Sequence, residues 1–577
     1  MKKDLKEFIP LIKLVKEDLK KIILASIVIF ISGITDIFTG YLNGKVVEAI
    51  TNLDIKKALI FLGVYFILEI TIDGIILHKA NSVLYKEESK LTRKLGFNTY
   101  KKALNLPAEA YEKLSSGEVI NRITNDADTL SFTFGRILKM VSSLIASSIV
   151  LIYIFINSYI VGLEIILIML ILFLILKKYN PLLKNIHKER KGKQDEFTSL
   201  TNESIRGIRE IKTLGVKNNL ITNMIELIKD IYKKSEEEID MQKSFNIKTS
   251  FLKSVLECMA FATCVILLYY HKISLTFFIA MTYYIYRYTW LLEDINDLTQ
   301  NYQKLSVSIS RVNDILENRL YEDERFGNKT LTNIKGTIEF KNVYFSYPDE
   351  DNILKDFNLK LEPHQKIAIV GSSGQGKSTL FNLITRIFDP NKGEIDIDGI
   401  NIKDLTEEDL RKNISIIRQE PFVFNRTIKE NFKIINNKIT LSKIRECTKL
   451  AYLDDYIMSL PKKYDTVLGE GGVNLSGGQK QRLSIARTLS KGSKIILFDE
   501  ATSALDNKSQ EYIKKTIDNL VKDHTIVIVA HRLSTIIDAD IIFVVDDGKV
   551  VPSGTHNELL KTSDIYKNLY ETESLNS

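Results

Sequence analysis

Apolar residues follow two different rhythms along this chain. Between about residue 20 and residue 292 they gather in long runs separated by Lys-rich stretches. From 336 to 577 they fall in short strand-like runs that alternate with helical periods. A helix that crosses the hydrocarbon of a bilayer needs about 20 mostly apolar residues. Runs of that kind predict spans at 20–42, 57–77, 137–157, 160–177, 250–270 and 275–292. The links after the first, third and fifth spans are short, whereas those after the second and fourth run to roughly 60 and 70 residues with a helical pattern.

The long links carry many Lys and Arg residues, and the short link at Asn157 and Ser158 carries no charge. Basic loops mark the cytoplasmic side of a membrane. The long links and both termini are therefore expected in the cytoplasm, with six spans supplying the parity. Helices that continue past the bilayer act as stalks. In the first link, Leu106-Pro107 breaks the helical pattern ahead of the segment 111–128. The second link contains ESIRGIREIKTLGVK over 203–217. By themselves these two segments read either as solvated helical hairpins or as docking elements. The first 19 residues read as an amphipathic lead-in to a retained span, with no cleavage site, and as too few for an additional N-terminal domain.

Composition conceals the division. Over 577 residues, 45% hydrophobic and 26% charged content is close to a soluble average. The net charge of +7 fits cytoplasmic loops. No basic stripe interleaved with aromatics points to nucleic acid. Cys258, Cys264 and Cys447 form neither a CxxC pair nor an even framework, so disulfide and zinc scaffolds are not implied. Five acids sit in or near the spans: Asp36, Glu69, Asp73, Glu164 and Glu257. A charge in lipid is costly and usually faces a cavity or a partner. Two readings follow: a cavity for cationic substrates or protons, or acids near the interfaces and paired with Lys139 and Lys253.

In the second half the runs IEFKNVYF, KIAIVG, EIDIDG, SIIRQ, KIILFDE, TIVIVAH and IIFVVDDGKVV predict an α/β domain with a largely parallel sheet and an antiparallel edge. Three motifs carry chemistry. GSSGQGKS, formed by Gly371, Ser372, Ser373, Gly374, Gln375, Gly376, Lys377 and Ser378, follows an apolar strand and opens a helix with Thr379. Its glycines let backbone amides wrap phosphate oxygens, Lys377 neutralises the β- and γ-phosphates, and Ser378 offers a hydroxyl to Mg²⁺. KIILFDE delivers Asp499 towards the metal and Glu500 towards an attacking water. LSGGQ, formed by Leu475, Ser476, Gly477, Gly478 and Gln479, is a second phosphate-binding helix start. Two such turns for one nucleotide are explained by a dimer in which the turn of one chain closes on the ATP of the other.

With these motifs together the chain resembles the ATP-binding cassette exporters, in the form that fuses six spans to one nucleotide domain. The resemblance implies an all-α transmembrane domain over 1–318, a linker over 319–335 and an α/β P-loop ATPase domain over 336–577, with ATP and Mg²⁺ as its ligands. It places Tyr347 on adenine, Gln419 in a loop sensing Mg²⁺ and the membrane domain, and His531 at the γ-phosphate. Ser503, Ala504, Leu505 and Asp506 fall in the loop that crosses the dimer interface. TVLGEGG (466–472) lies near the cytoplasmic loops, which are themselves similar to coupling regions. Arg418 and Pro552 depart from the usual pattern, away from the chemistry. Because Glu500 and LSGGQ are both intact, a homodimer with two competent sites is favoured over a heterodimer. Export of a small molecule, lipid or peptide from a prokaryotic plasma membrane is the expected function, an amphipathic cation being the preferred cargo. An importer on the same fold and an ATP-gated channel or regulator are the rivals.

Overall fold

The computed structural model describes residues 19–114, 116–319, 321–348, 351–372, 374–469, 472–499, 507–529 and 536–574. Ser373, Glu470, Gly471, Glu500, Ser503, Ala504, Leu505, Asp506 and His531 lie outside these residues, as do residues 1–18 of the expected lead-in and the side chains of Asp36 and Pro552. The chain divides into two units. The first runs to Asn105 and resumes over Leu114–Tyr321; the second comprises Leu106–Lys113 and Glu322–Ser577.

The first unit is helical. Helix α1 (Leu19–Thr51) is followed by α2 (Ile55–Leu68), which passes through a π-helical stretch (Glu69–Leu77) into α3 (His78–Ala103). The short α4 (Ala108–Lys113) belongs to the second unit. In the first unit α5 (Ser116–Asn121) and a π turn (Arg122–Asp126) lead to α6 (Ala127–Asn157), α7 (Tyr159–Arg206), α8 (Ile208–Leu214), α9 (Lys217–Tyr269) and α10 (Leu275–Leu316). Small polar residues start the helices. Ser158 Oγ accepts from Val161 N, Ser274 Oγ from Phe277 N (3.1 Å), and Asp54 from Lys57 N.

Among the described residues five helices are long and apolar enough to cross a membrane: Lys20–Thr51, Ile55–Ala103, Gly117–Asn157, Tyr159–Arg206 and Lys217–Tyr269. The sixth expected span, 275–292, falls on α10, which is not one of the five. Its apolar run is short and diluted by tyrosines and Arg287. Those tyrosines tie the bundle together: Tyr284 donates to the Ile37 carbonyl (2.8 Å) and Tyr288 to that of Ser147 (2.7 Å). The second part of the expected 111–128 segment is packed rather than solvated. Buried Arg122 donates to Glu118 (2.7 Å), and Ser308 donates to buried Asp126 (2.7 Å).

The acids of the spans have different surroundings. Ser32 donates to Asp73, and Thr263 to Glu164 (2.6 Å); Glu69 is exposed and Glu257 half-buried. Lys139 donates to Tyr85 (3.3 Å) and lies over its ring. Arg287, a cation in the sixth expected span, was not singled out by the sequence reading. It donates to Ser147 Oγ (3.2 Å) beside Gly33.

Among the described residues the second unit holds two sheets. Strands β1 (Ile338–Phe345), β2 (Leu354–Leu361), β4 (Lys392–Ile397) and β5 (Ile400–Asn401) form an antiparallel sheet ordered β2-β1-β4-β5. Strands β3 (Lys366–Val370), β6 (Ile414–Ile417), β7 (Ile495–Asp499), β8 (Thr525–Val529), β9 (Ile541–Asp546) and β10 (Lys549–Gly554) form the other, ordered β10-β9-β3-β8-β7-β6. In this sheet β10 alone is antiparallel. The expected parallel core and antiparallel edge are both present, but IEFKNVYF and EIDIDG stand in the separate sheet. Strand β2 alternates buried and exposed positions much as IEFKNVYF of the same sheet does, yet it is not among the expected strands. Helices α11 (Lys377–Ile384), α12 (Glu407–Asn413), α13 (Ile428–Lys433), α14 (Leu441–Leu450), α15 (Asp454–Ser459), α16 (Gly477–Lys491), α17 (Asn507–Leu520), α18 (His556–Thr562) and α19 (Asp564–Ser574) complete the unit. Residues 327–331 pair with it: Gly327 N donates to the Leu405 carbonyl (3.0 Å) and Lys329 N to that of Asp404 (2.9 Å).

Candidate functional site

Strand β3 is buried along its whole length and delivers Gly371 at its carboxyl end. A Cβ on Gly371 would lie 2.3 Å from the Val545 carbonyl oxygen, so only glycine fits against the neighbouring strand. Gly376 closes the loop with φ +79°, a left-handed conformation that costs a residue with a Cβ. It is also the N-cap of α11, whose first amides have no partner within the helix. Lys377 is the first residue of that helix and only 5% exposed. Its Nζ donates to the carbonyls of Gly371 (2.8 Å) and Ser372 (2.7 Å), which fixes an ammonium over its own loop.

Strands β3, β8 and β7 are neighbours and parallel, so their carboxyl ends share one edge. Ligands of open α/β sheets bind at such an edge. Asp499 ends β7 there, buried, and Ser378 Oγ donates to its Oδ1 at 3.0 Å. A hydroxyl and a carboxylate brought together at a phosphate loop form an oxygen donor set suited to a hard divalent cation. Glu500 is next in the chain. Tyr347 packs on the same helix: its hydroxyl lies 3.3 Å from Thr379 Oγ1 and accepts from Asn382 Nδ2 (3.2 Å). Its ring stands edge-on to Phe345 and Phe388.

LSGGQ forms the start of α16. Ser476 is the N-cap: its Oγ accepts from Gln479 N (3.3 Å), and Gln479 Oε1 accepts from Ser476 N (2.9 Å). This reciprocal box fixes the turn. Leu475 and Gly478 are buried, and Ser476 and Gly477 are exposed. Gln419 lies just past β6 and is exposed; its carbonyl accepts from Gln481 of α16 (3.2 Å). Sequence reading did not single out Gln481, whose signal was its place two residues beyond LSGGQ.

Lys491, at the far end of α16, donates to the Ile414 carbonyl (2.8 Å) and Ser415 Oγ (3.1 Å). It shares a cleft of about 500 Å³ with Arg411, Arg418 and Arg487. Burial, and after it the Arg411 guanidinium, bring its ammonium from an ordinary 10.5 down to about 8. Between those values the unfolded chain holds more protons than the folded one, so stability rises with pH. The melting temperature of the transition to which this unit contributes should therefore rise from about pH 8 to 10, and Lys491→Met should flatten the rise, as read by calorimetry.

Residues 354–503 match the ABC transporter model and residues 22–290 match the ABC transporter transmembrane region. The ATP-dependent lipid A-core flippase of Escherichia coli (strain K12) is 32% identical over 485 residues, covering 82% of this chain and 81% of the flippase. YgaD of Bacillus subtilis (strain 168), provisionally named a multidrug export ATP-binding/permease protein, is 33% identical over 508 residues, covering 86% of this chain and 85% of its own. The fold is also that of a bacterial Atm1-family ABC exporter solved with ATP bound (TM-score 0.83, 24% identity, 96% of this chain and 98% of that one). The chain belongs to the ABC transporters and is an exporter-type half-transporter, in which ATP hydrolysis by the fused nucleotide-binding domain drives export across the membrane.

Proposed function

We propose that the chain works as a homodimer in a prokaryotic plasma membrane, with both termini in the cytoplasm, and exports amphipathic cations. The observation that supports the engine is the 3.0 Å contact of Ser378 with Asp499 at the mouth of the phosphate loop. The membrane domain occupies 1–318, the linker 319–335 and the ATPase 336–577. In the ATPase, Gly371 to Ser378 cradle the phosphates of ATP with Lys377 against the β- and γ-phosphates and Thr379 in the same site, and Tyr347 stacks on adenine. Ser378, Asp499 and Gln419 would hold Mg²⁺, which supplies charge neutralisation on the phosphates when bound. Glu500 polarises the attacking water and His531 contacts the γ-phosphate. The LSGGQ turn of the partner copy closes over the nucleotide, and residues 503–506 cross between the copies. Closure drives the stalk helices and reorients the cavity; loss of the γ-phosphate contacts lets the pair reopen.

The cation reading is supported by Asp73 and Glu164, whose carboxylates meet hydroxyl groups inside the helical unit. Uptake of a fluorescent amphipathic cation into inside-out vesicles tests it. With ATP, uptake should exceed the ATP-free background several-fold, and Glu500→Gln should return it to that background. Intact ATP hydrolysis without cation uptake would remove this cargo and favour a lipid, as in the flippase relative.

A further inference from the structure

We propose that Gln481 is a positioning residue through which the two nucleotide sites of the dimer sense each other. The inference rests on the site assignment above. In that assignment one chain contributes Gln419 to its own ATP and Ser476 to its partner's. These two elements serve different nucleotides yet touch within one chain. Gln481, 2% exposed, donates from Nε2 to the Gln419 carbonyl at 3.2 Å. Its Oε1 is buried with no partner among the described residues. A carbonyl accepts only from the nitrogen of the amide, so this orientation leaves the oxygen unsatisfied. Buried orphans of that kind are uncommon and unfavourable. Packing alone would be served as well by an apolar side chain of the same length. The donor to Gln419 is what the amide adds.

The connection is stiff. Helix α16 has 15 residues and carries Ser476 at its cap, Gln481 in its second turn and Lys491 at its end. Further along the helix, Arg487 donates to the Phe422 carbonyl (3.0 Å) and Lys491 to that of Ile414 (2.8 Å). The segment 414–422 and the helix are thus joined at three points, with Gln481 the joint nearest the signature turn. A displacement of Gln419 as its own site loads reaches Ser476 and Gly477 over the partner's site.

The test uses the full-length transporter in nanodiscs, comparing wild type with Gln481→Met and Gln481→Glu. Met keeps the length and removes the amide; Glu keeps the shape and replaces the donor with an oxygen. Wild type should hydrolyse ATP with a Hill coefficient approaching two. Both variants should fall to a Hill coefficient near one with about a tenfold loss of kcat, while nucleotide affinity stays within about twofold; the melting temperature should hold for Met and fall for Glu, whose carboxylate is buried against a carbonyl oxygen. A wild-type coefficient of one, or variants that keep the wild-type coefficient, would overturn the coupling. A lower kcat with the same coefficient and a lower melting temperature would assign Gln481 to packing and overturn it too. Glu500→Gln, run alongside, separates the two levels: turnover that survives it overturns the site assignment itself.

Discussion

Lys377→Met should lower ATP turnover by about 10³-fold, equivalent to ~4 kcal/mol of lost transition-state stabilisation. The effect originates in where the ammonium sits. Lys377 is nearly buried, and its Nζ is anchored by the carbonyls of Gly371 and Ser372. That anchoring orders the charge before any phosphate arrives, so little reorganisation is needed during reaction. Met retains the aliphatic stem among its neighbours and removes only the charge and its hydrogen bonds. The fold should therefore survive, with a melting temperature close to wild type, while steady-state hydrolysis collapses. Phosphoryl transfer depends on positioning and charge stabilisation, so kcat/KM should carry the loss. A reduction of less than tenfold would show that another group neutralises the phosphates.

The parts of this site that sequence made legible are those whose chemistry is written in consecutive residues. The phosphate loop needs glycines at Gly371 and Gly376 for reasons that the close approach to Val545 and the positive φ make plain. Strands β3, β7 and β8 are covered on both faces and read as unbroken apolar runs. Contacts between distant residues left no such trace. Gln481 meets Gln419 across 62 positions, and its place two residues beyond LSGGQ marks the residue but not the contact. Ser378 meets Asp499 across 121 positions, and that pairing was inferred because each end lay in a recognisable motif. In the helical unit the sequence points to the five acids and to Lys139 and Lys253 as their partners; Arg287 raises the same question of a partner but carries no motif.

A polar network with no motif at all carries the second large effect. Asp454, at the start of α15, is buried and accepts two hydrogen bonds from the Arg445 guanidinium (3.2 and 3.0 Å) and one from the Tyr464 hydroxyl. Thr448 Oγ1 meets the same hydroxyl at 2.5 Å. Burial pushes the Asp454 carboxyl up, but the bonds from Arg445 and Tyr464 outweigh it and hold the group below its ordinary value. Burial, reinforced by Asp454, pushes the Tyr464 phenol up. Asp454→Ala leaves a buried phenol and a guanidinium without their acceptor. Arg445 is 40% exposed and can turn to water, so the cost is mainly that of the stranded phenol, about 2 kcal/mol, and in a unit of this size that corresponds to a fall of about 4–8 °C in melting temperature. Asp454→Asn keeps the shape and one acceptor oxygen and should lose about half as much. A folded value held below the ordinary one means that the stabilisation is present above the ordinary carboxylate range and is lost as pH falls through the folded value. The gap between wild type and Asp454→Ala should therefore be full at pH 7 and close on acidification. Calorimetry across that range reads both effects, and a gap that does not change with pH would show that the carboxylate fills space without holding charge. Because α14 and α15 share a core with Leu475 and Leu483 beneath the signature turn, Asp454→Ala should also loosen the element proposed to close on the partner's ATP. Hydrolysis should then fail on heating at a lower temperature than in wild type.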